Sequence, residues 1–544
     1  MASNVLATSP SPVPAATRSF DGPVHPGTRA AFVAVMVLGF AYAGFSIFND
    51  TQQVGEQLAL GVFVFLGLAL LIALGFEFVN GFHDTANAVA TVIYTNALPA
   101  HFAVVWSGFF NFLGVMVSSG AVAYSIVTLL PVDLILNVGS GAGFAMIFAL
   151  LFAAVIWNLA TWYVGLPNSS SHTLIGSVLG VGLANQLLTN GAGGTSGVDW
   201  TQATKVLTGL WMAPLIGFCA AALLLLVIRH LSRNPQLMRP PEGDTAPPRG
   251  IRALLIFTCT AVSFSHGSND GQKGMGLIML ILIGCAPTAY ALNRTLPASE
   301  TPAFVRSAAA ADAALTRNGA QVIAETQARA VLKQSLATRH VLTPATYGAA
   351  IAVSRDLAQR VSSYGALSNV PAQAAPNIRN DMYLVMDTAR MIATAPGNRM
   401  SKADLAALTD YQKRLERGTR YIPLWVKVAV ALALGLGTMV GWKRIVVTVG
   451  ERIGKQHMTY GMGASAELVA AGTILAADRF GLPVSTTHIL SSGVAGASVA
   501  SGHGLQRRTL IQLAAAWLMT LPVAMLLAGG LYWLLLTLVR TAGF

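Results

Sequence analysis

Charge is what this chain has least of. Of its 544 residues only 10% are Asp, Glu, Lys or Arg, against 54% apolar, and the mean hydropathy is +0.60. A soluble globule of this length needs a charged coat, so a water-soluble fold is excluded and a bilayer protein is implied. Cysteine is nearly absent too. Cys219, Cys259 and Cys285 all lie in apolar stretches, which argues against a disulfide framework or a cysteine metal cluster and leaves core filling. Nor does any nucleophile stand beside a base at helical spacing: Ser171 and His172 are adjacent, and neighbouring helical residues do not face each other. With no dinuclear ligand cluster either, an enzyme is not indicated and no cofactor is expected.

Repeated apolar runs of about 20 residues, the length that spans a hydrocarbon core, are abundant. They place crossings near 30–48, 58–97 (interrupted), 101–128, 143–165, 168–187, 206–228, 253–292 (interrupted), 424–441, 462–480, 483–501 and 510–538. The formal charge of +12 sits in loops and does not suggest nucleic acid. Arg229, Arg233, Arg239, Arg249 and Arg252 share one loop, Lys443, Arg444, Arg452 and Lys455 another, and Arg507 and Arg508 a third, which marks all three as cytoplasmic. The segments 49–57, 129–142 and 188–204 hold no Lys or Arg and are expected outside. The N-terminus is then inside and the C-terminus outside. Residues 1–28, rich in Pro, Ser and Ala, read as a disordered tail, and 29–48 as an uncleaved extra transmembrane helix although Ala41-Tyr42-Ala43 resembles a cleavage site.

The chain says one thing twice. Gly165-Leu166-Pro167-Asn168-Ser169-Ser170-Ser171-His172 recurs as Gly481-Leu482-Pro483-Val484-Ser485-Thr486-Thr487-His488. A helix start of this kind offers unpaired N–H groups, the positive dipole end and side-chain hydroxyls to an oxyanion. A second pair also aligns: Gly81-Phe82-His83-Asp84-Thr85-Ala86-Asn87 with Gly267-Ser268-Asn269-Asp270-Gly271-Gln272-Lys273. Five crossings over 58–228 are followed by five more over 253–292 and 424–538, separated by the cytoplasmic basic loop 229–252. Because five is odd, the halves must be upside down with respect to each other. The fold expected is therefore an all-α polytopic membrane protein of about 11 crossings (10–12), two inverted repeats plus the extra helix, with broken helices and hairpins at the midplane. The polar stretch 293–420, with 16 Lys/Arg against 9 Asp/Glu, reads as a helical insert on the outer side.

Ionisable residues inside spans are the functional suspects. Asp84 and Asp270, beside His83, Asn269 and Gly-rich backbone, suit a proton or a small hard cation, with sodium conceivable at Asp84, Asn87 and Asp270. Glu77 and Glu467 are expected to complete the ion site or to pair with Lys273. Ser169, Ser170, Ser171, Ser485, Thr486 and Thr487, with Asn87 and Lys273, are the anion-binding candidates; plain N-capping is the bland alternative for the hydroxyls. Lys273 stands where the first half has Asn87, which disfavours two symmetric sodium sites.

At these motifs the sequence resembles the inorganic phosphate transporter (PiT) family, in particular its bacterial low-affinity Pit branch. The matching text is Asn80 to Thr91, Gly165 to Thr173, Ser265 to Gly274 and Gly481 to His488. The resemblance implies phosphate uptake across the bacterial inner membrane, coupled to a cation, in this branch usually the proton, and often with phosphate carried as a neutral metal complex. It assigns phosphate to the hairpin hydroxyls and cation coupling to the Asp/Asn motifs. The family's sodium-coupled members have a second Asn at the place of Lys273, and other members take sulfate. A passive anion channel is the alternative of another class. The partners expected are phosphate, a proton or sodium, and lipid, with a homodimer as one assembly open to it.

Overall fold

In the computed structural model, residues 26–542 are described except 57, 85, 131, 137, 190–197 and 233. The expected tail up to residue 25, Thr85 of the first motif, residues 190–197 of the segment 188–204, and Arg233 therefore lie outside the described residues. The described residues are almost wholly helical.

The first half comprises α1 (Pro26–Gln53), α2 (Leu60–Asp84), α3 (Ala86–Tyr94), α4 (Ala100–Val117), α5 (Ala121–Val127), α6 (Val132–Leu136), α7 (Gly141–Tyr163), α8 (Ser170–Thr189) and α9 (Trp200–Leu231). Then come α10 (Arg249–Cys285), the short α11 (Pro287–Tyr290), and five helices over the polar stretch: α12 (Thr301–Arg317), α13 (Glu325–Thr338), α14 (Pro344–Tyr364), α15 (Ala375–Thr394) and α16 (Lys402–Thr419). The chain closes with α17 (Leu424–Thr438), α18 (Lys443–Val447), α19 (Tyr460–Arg479), α20 (Thr486–Ala500) and α21 (Arg507–Ala542).

Among the described residues, six helices are long and apolar enough to cross a bilayer: Pro26–Gln53, Leu60–Tyr94, Ala100–Val117, Gly141–Tyr163, Gln202–Leu231 and Arg507–Thr541. A seventh is added if α16 and α17, bent by 75°, count as one span. The expected crossings at 168–187, 253–292, 462–480 and 483–501 correspond to α8, α10, α19 and α20, which do not meet that measure. At 15 residues α20 is short for a span, and both hairpin helices are largely enclosed by protein. Every residue of α20 from Thr486 to Ser498 is buried, as is α8 from Ser170 to Gly182. A helix wrapped by protein carries hydroxyls and glycines where a lipid-facing one carries leucine.

Two expectations need correction. The run 253–292 is not interrupted at its motif: α10 is one helix of 37 residues that carries Asp270 in its middle. Its glycines serve close packing and do not break it, since Gly267 lies against the Asn111 carbonyl, Gly271 against Val115 and Gly276 against the Ala123 carbonyl. The run 101–128 is the one that breaks. Here α4 ends at Val117 and Gly120 adopts φ 84, a left-handed turn open to glycine, before α5 begins.

The halves exchange partners. α2 packs on α17 while α10 packs on α4, and α8 packs on α21 while α20 packs on α9. The glycines at these crossings match atom for atom. A Cβ on Gly81 would collide with the Leu434 carbonyl and one on Gly437 with the Phe78 carbonyl; likewise Gly267 meets the Asn111 carbonyl and Gly114 the Phe264 carbonyl. Phe264 and Gly267 are Phe78 and Gly81 advanced by the shift that carries Asp84 onto Asp270.

The two ends of the bundle collect different loops. At one end Arg252 donates to the Ala97 carbonyl, Thr448 to the Gly165 carbonyl and Gln506 to the carbonyls of Glu451 and Gly454. At the other end α12–α16 dock on the segments poor in Lys and Arg: Arg390 pairs with Asp199 at 3.1 Å and Arg379 donates to the Ile135 carbonyl at 3.0 Å. Beside them, Glu56 accepts from the backbone N–H groups of Thr288 and Ala289. Gly165 thus belongs to the first end, and Gly481, which touches Ala121, to the second.

Candidate functional site

The two helix starts and the two Asp motifs meet in one buried cluster. Asp84, the last residue of α2, is ringed by donors. Its Oδ1 accepts from Thr487 Oγ1 at 3.0 Å and lies 3.1 Å from His83 Nδ1, while its Oδ2 accepts from the Ser170 N–H at 3.3 Å and from the Ser170 hydroxyl. One turn earlier Asn80 Oδ1 accepts from the same Ser170 hydroxyl at 2.7 Å. Asn87 on α3 donates to Thr487 Oγ1 at 3.0 Å and to the Asp84 carbonyl at 2.9 Å.

On α10 the counterpart carries a cation. Lys273 Nζ is 2.7 Å from Asp270 Oδ1, with both side chains fully buried, and donates to Ser171 Oγ. Ser171 in turn donates to the Val484 carbonyl at 2.7 Å, which ties one hairpin tip to the other. Lys273–Ser171 and Asn87–Thr487 are thus the same contact made twice, once by an ammonium and once by an amide. His266 completes the group: its Nε2 is 3.4 Å from Asp270 Oδ2, and its Nδ1 is 2.7 Å from Asn111 Oδ1. Ligand atoms of Asp84, His266 and Asp270 all lie within 4.8 Å of one another, a spacing that suits one small cation.

The six hairpin hydroxyls divide by role. Ser169 and Ser485 cap their helices, accepting from the His172 and His488 N–H groups at 3.1 Å each. Ser170, Ser171 and Thr487 join the Asp, Lys and Asn side chains as above. Among the described residues, Thr486 Oγ1, Asn87 Oδ1 and Asn269 Oδ1 are buried without a hydrogen-bond partner, the condition of groups that await a ligand or water. Asn269 is held by its other end, donating to the Leu482 carbonyl at 3.1 Å. The rings of His172 and His488 are 4.4 Å apart, and His488 stacks on Trp517 at 4.1 Å.

The two glutamates are apart from each other. Glu467 is held between α3 and α10 by the hydroxyls of Thr91 and Thr258. Glu77 is fully buried on α2, two turns before Asp84, and faces Gly274. One participant escapes sequence reading: Asn80, which precedes Asp84 by one helical turn, a signal present in the spacing. His266 and Asp478 are suspects as ionisable residues inside spans, and Asp478 accepts from Ser268 at 2.7 Å and from Gln272.

A bundle of apolar helices enclosing polar side chains and paired hairpin tips defines a polytopic membrane protein with an internal polar site, and the comparisons specify which. Residues 80–528 match the phosphate transporter family, and the chain belongs to that family. It is 41% identical over 515 residues to the low-affinity inorganic phosphate transporter PitB of Escherichia coli strain K12, covering 89% of this chain and all of that one. It is 43% identical over 512 residues to PitA of the same strain, covering 88% and 99%. A solved structure described as the sodium-dependent phosphate transporter is similar at 19% identity and a TM-score of 0.47, over 87% of this chain and 99% of that one.

Proposed function

We propose that this protein imports inorganic phosphate, free or as a neutral metal complex, by cation symport with alternating access, the proton being the coupling ion. The observation that carries the reading is the convergence of both hydroxyl-bearing helix starts on the two Asp motifs in one buried cluster. An oxyanion there is met by N-terminal amides, by Ser170, Ser171, Thr486 and Thr487, and by Asn87 and Lys273. Asp84 and Asp270, with His83 and Asn269 beside them, line the path of the coupling ion, with Glu77 on α2 and Glu467 on α19 as further buried acids. Lys273 already supplies Asp270 with a positive charge, which favours a proton over a pair of sodium ions.

Reciprocal glycine crossings and exchanged helix partners support two inverted repeats, 58–228 and 253–292 with 424–538, that rock against each other around the site. The docking of 293–420 on the Lys/Arg-poor segments supports a periplasmic insert and a cytoplasmic N-terminus, and the likeness to PitA and PitB of Escherichia coli supports an inner membrane location. The naming of PitA and PitB as phosphate transporters supports the substrate.

Purified protein in proteoliposomes tests this directly. Radiolabelled phosphate uptake should be driven by an inward pH gradient, be competed by arsenate and resist sulfate. Uptake driven by sodium alone, or persisting to the same extent after collapse of the proton gradient, would overturn proton coupling.

A further inference from the structure

We infer that Glu77 is the group that carries the coupled proton, an assignment that rests on the proton-symport reading above. The oxygens of Asp84 are taken by donors from Ser170, Thr487 and His83. Asp270 is held by Lys273 and His266, and both oxygens of Glu467 accept from threonines. Glu77 is different. Its side chain is wholly buried, Oε2 accepts from Asn80 Nδ2 at 3.3 Å, and Oε1 lies against the Gly274 backbone, with no side-chain donor to it among the described residues. Asp84 and Asp270 each have an ion-pair partner and Glu467 has two hydroxyl donors, whereas Glu77, in a dry interior, has neither, which makes it the acid best placed to take up and release a proton.

Glu77 is also wired to the anion site. Asn80, which donates to Glu77, accepts from Ser170, and Ser170 donates to Asp84 at the hairpin tip. On the other side the carboxyl packs on Gly274, the residue after Lys273, so closely that a Cβ at 274 would overlap it. One carboxyl thus touches both motifs. Its charge is felt at the first through an amide and a hydroxyl, and at the second through the field of Lys273.

The charged groups facing Glu77 are Lys273 and Asp270 of α10. His83 and Asp84 lie about two turns along its own helix. Of the other helices packed on α2, α8 brings His172 and α17 only Lys427 near its start, whereas α3 and α7 bring no Asp, Glu, Lys, Arg or His. The balance is simple: the carboxylate takes one proton from the outer solution as the anion enters and returns it to the inner solution as the anion leaves. One positive charge therefore accompanies each anion through this group.

The test uses the full chain in proteoliposomes with radiolabelled phosphate. Each unit of pH gradient is worth about tenfold accumulation per coupled proton. Glu77→Gln should exchange phosphate for phosphate at a rate that no longer depends on pH, while gradient-driven accumulation falls to the level without a gradient. Glu77→Asp, which keeps a titratable acid, should retain accumulation. Normal accumulation by Glu77→Gln overturns the inference, as does equal loss of exchange in both variants, which would make the residue structural. A wild type indifferent to the pH gradient overturns the proton-symport reading itself, and that measurement is made before any variant.

Discussion

Asp84 and Asp270, from opposite halves of the chain, bring carboxylate oxygens within 4.8 Å of each other and of a His266 nitrogen. Two buried acids so close repel unless positive charge lies between or beside them. Lys273 supplies one such charge permanently, and a coupling ion supplies another in passing. Asp84→Asn or Asp270→Asn should therefore abolish concentrative phosphate uptake while membrane insertion, followed by antibody or tag, is unchanged. Full accumulation in both would remove the carboxylates from coupling.

The Lys273–Asp270 pair sets a second expectation. Removing one partner of a buried pair leaves an uncompensated charge and costs about 3–5 kcal/mol, whereas removing both is close to neutral. Lys273→Gln alone should lower the thermal midpoint of the detergent-solubilised protein sharply. Lys273→Gln with Asp270→Asn should recover most of that loss without recovering transport. A single variant as stable as the wild type would show that the pair is not buried in the functional protein.

Much of this site is legible in sequence because its residue types are costly in a membrane. The twin Gly-Leu-Pro starts, Asp84 with Asp270, and the mismatch of Asn87 with Lys273 are all visible in the chain, and the structure assembles them. What the string hides is continuity. The Gly-rich text around Asp270 reads as a break, yet α10 runs through it because its glycines pack closely on other helices, Gly267 and Gly271 on α4, Gly274 on α2 and Gly276 on α5, a fact about neighbours far away in sequence. Conversely the run 101–128 looks uniform, and its break depends on the single turn at Gly120. The division of hydroxyls is equally invisible: Ser485 and Thr486 are neighbours of similar chemistry, but only the first caps α20.

That division predicts unequal variants. Ser485→Ala removes a cap and should cost about 1 kcal/mol of stability. Thr486→Ala removes a hydroxyl with no partner among the described residues, so stability should stay within about 0.5 kcal/mol while the apparent affinity for phosphate falls. Thermal unfolding and uptake kinetics on both variants separate the two roles. Unchanged phosphate affinity in Thr486→Ala would take this residue out of the anion site.

The paired glycine crossings make a quantitative claim of equivalence. Gly81→Ala and Gly267→Ala each force a methyl against a helix backbone, at about 1–3 kcal/mol for overpacking of this kind. The two should lose stability alike. A loss confined to one of them would mean that the halves do not share a packing plan.

The insert offers a pH test away from the membrane. Burial pushes the Asp312 carboxyl up to about 6, against the pull of Arg355 at 3.1 Å. A folded value above the unfolded one, about 4, means the native state holds that proton more tightly. The stabilisation is complete below about pH 4 and is lost as pH rises through 6. Asp312→Asn should abolish this slope, on the order of 2 kcal/mol at pH 8, seen as greater hydrogen-exchange protection of α12 and α14 in the variant at pH 8 than in the wild type. Equal protection at pH 8 would refute it.

Trp517 has a use beyond packing. It sits on α21, donates to the Pro167 carbonyl at 3.1 Å, and stacks on His488, whose ring touches His172. One indole is therefore in contact with the loop before the first hairpin helix and with the first turn of the second. With the remaining tryptophans replaced by phenylalanine, its emission becomes a native optical gauge of whether the two tips are together or apart, readable in milliseconds and without an added label.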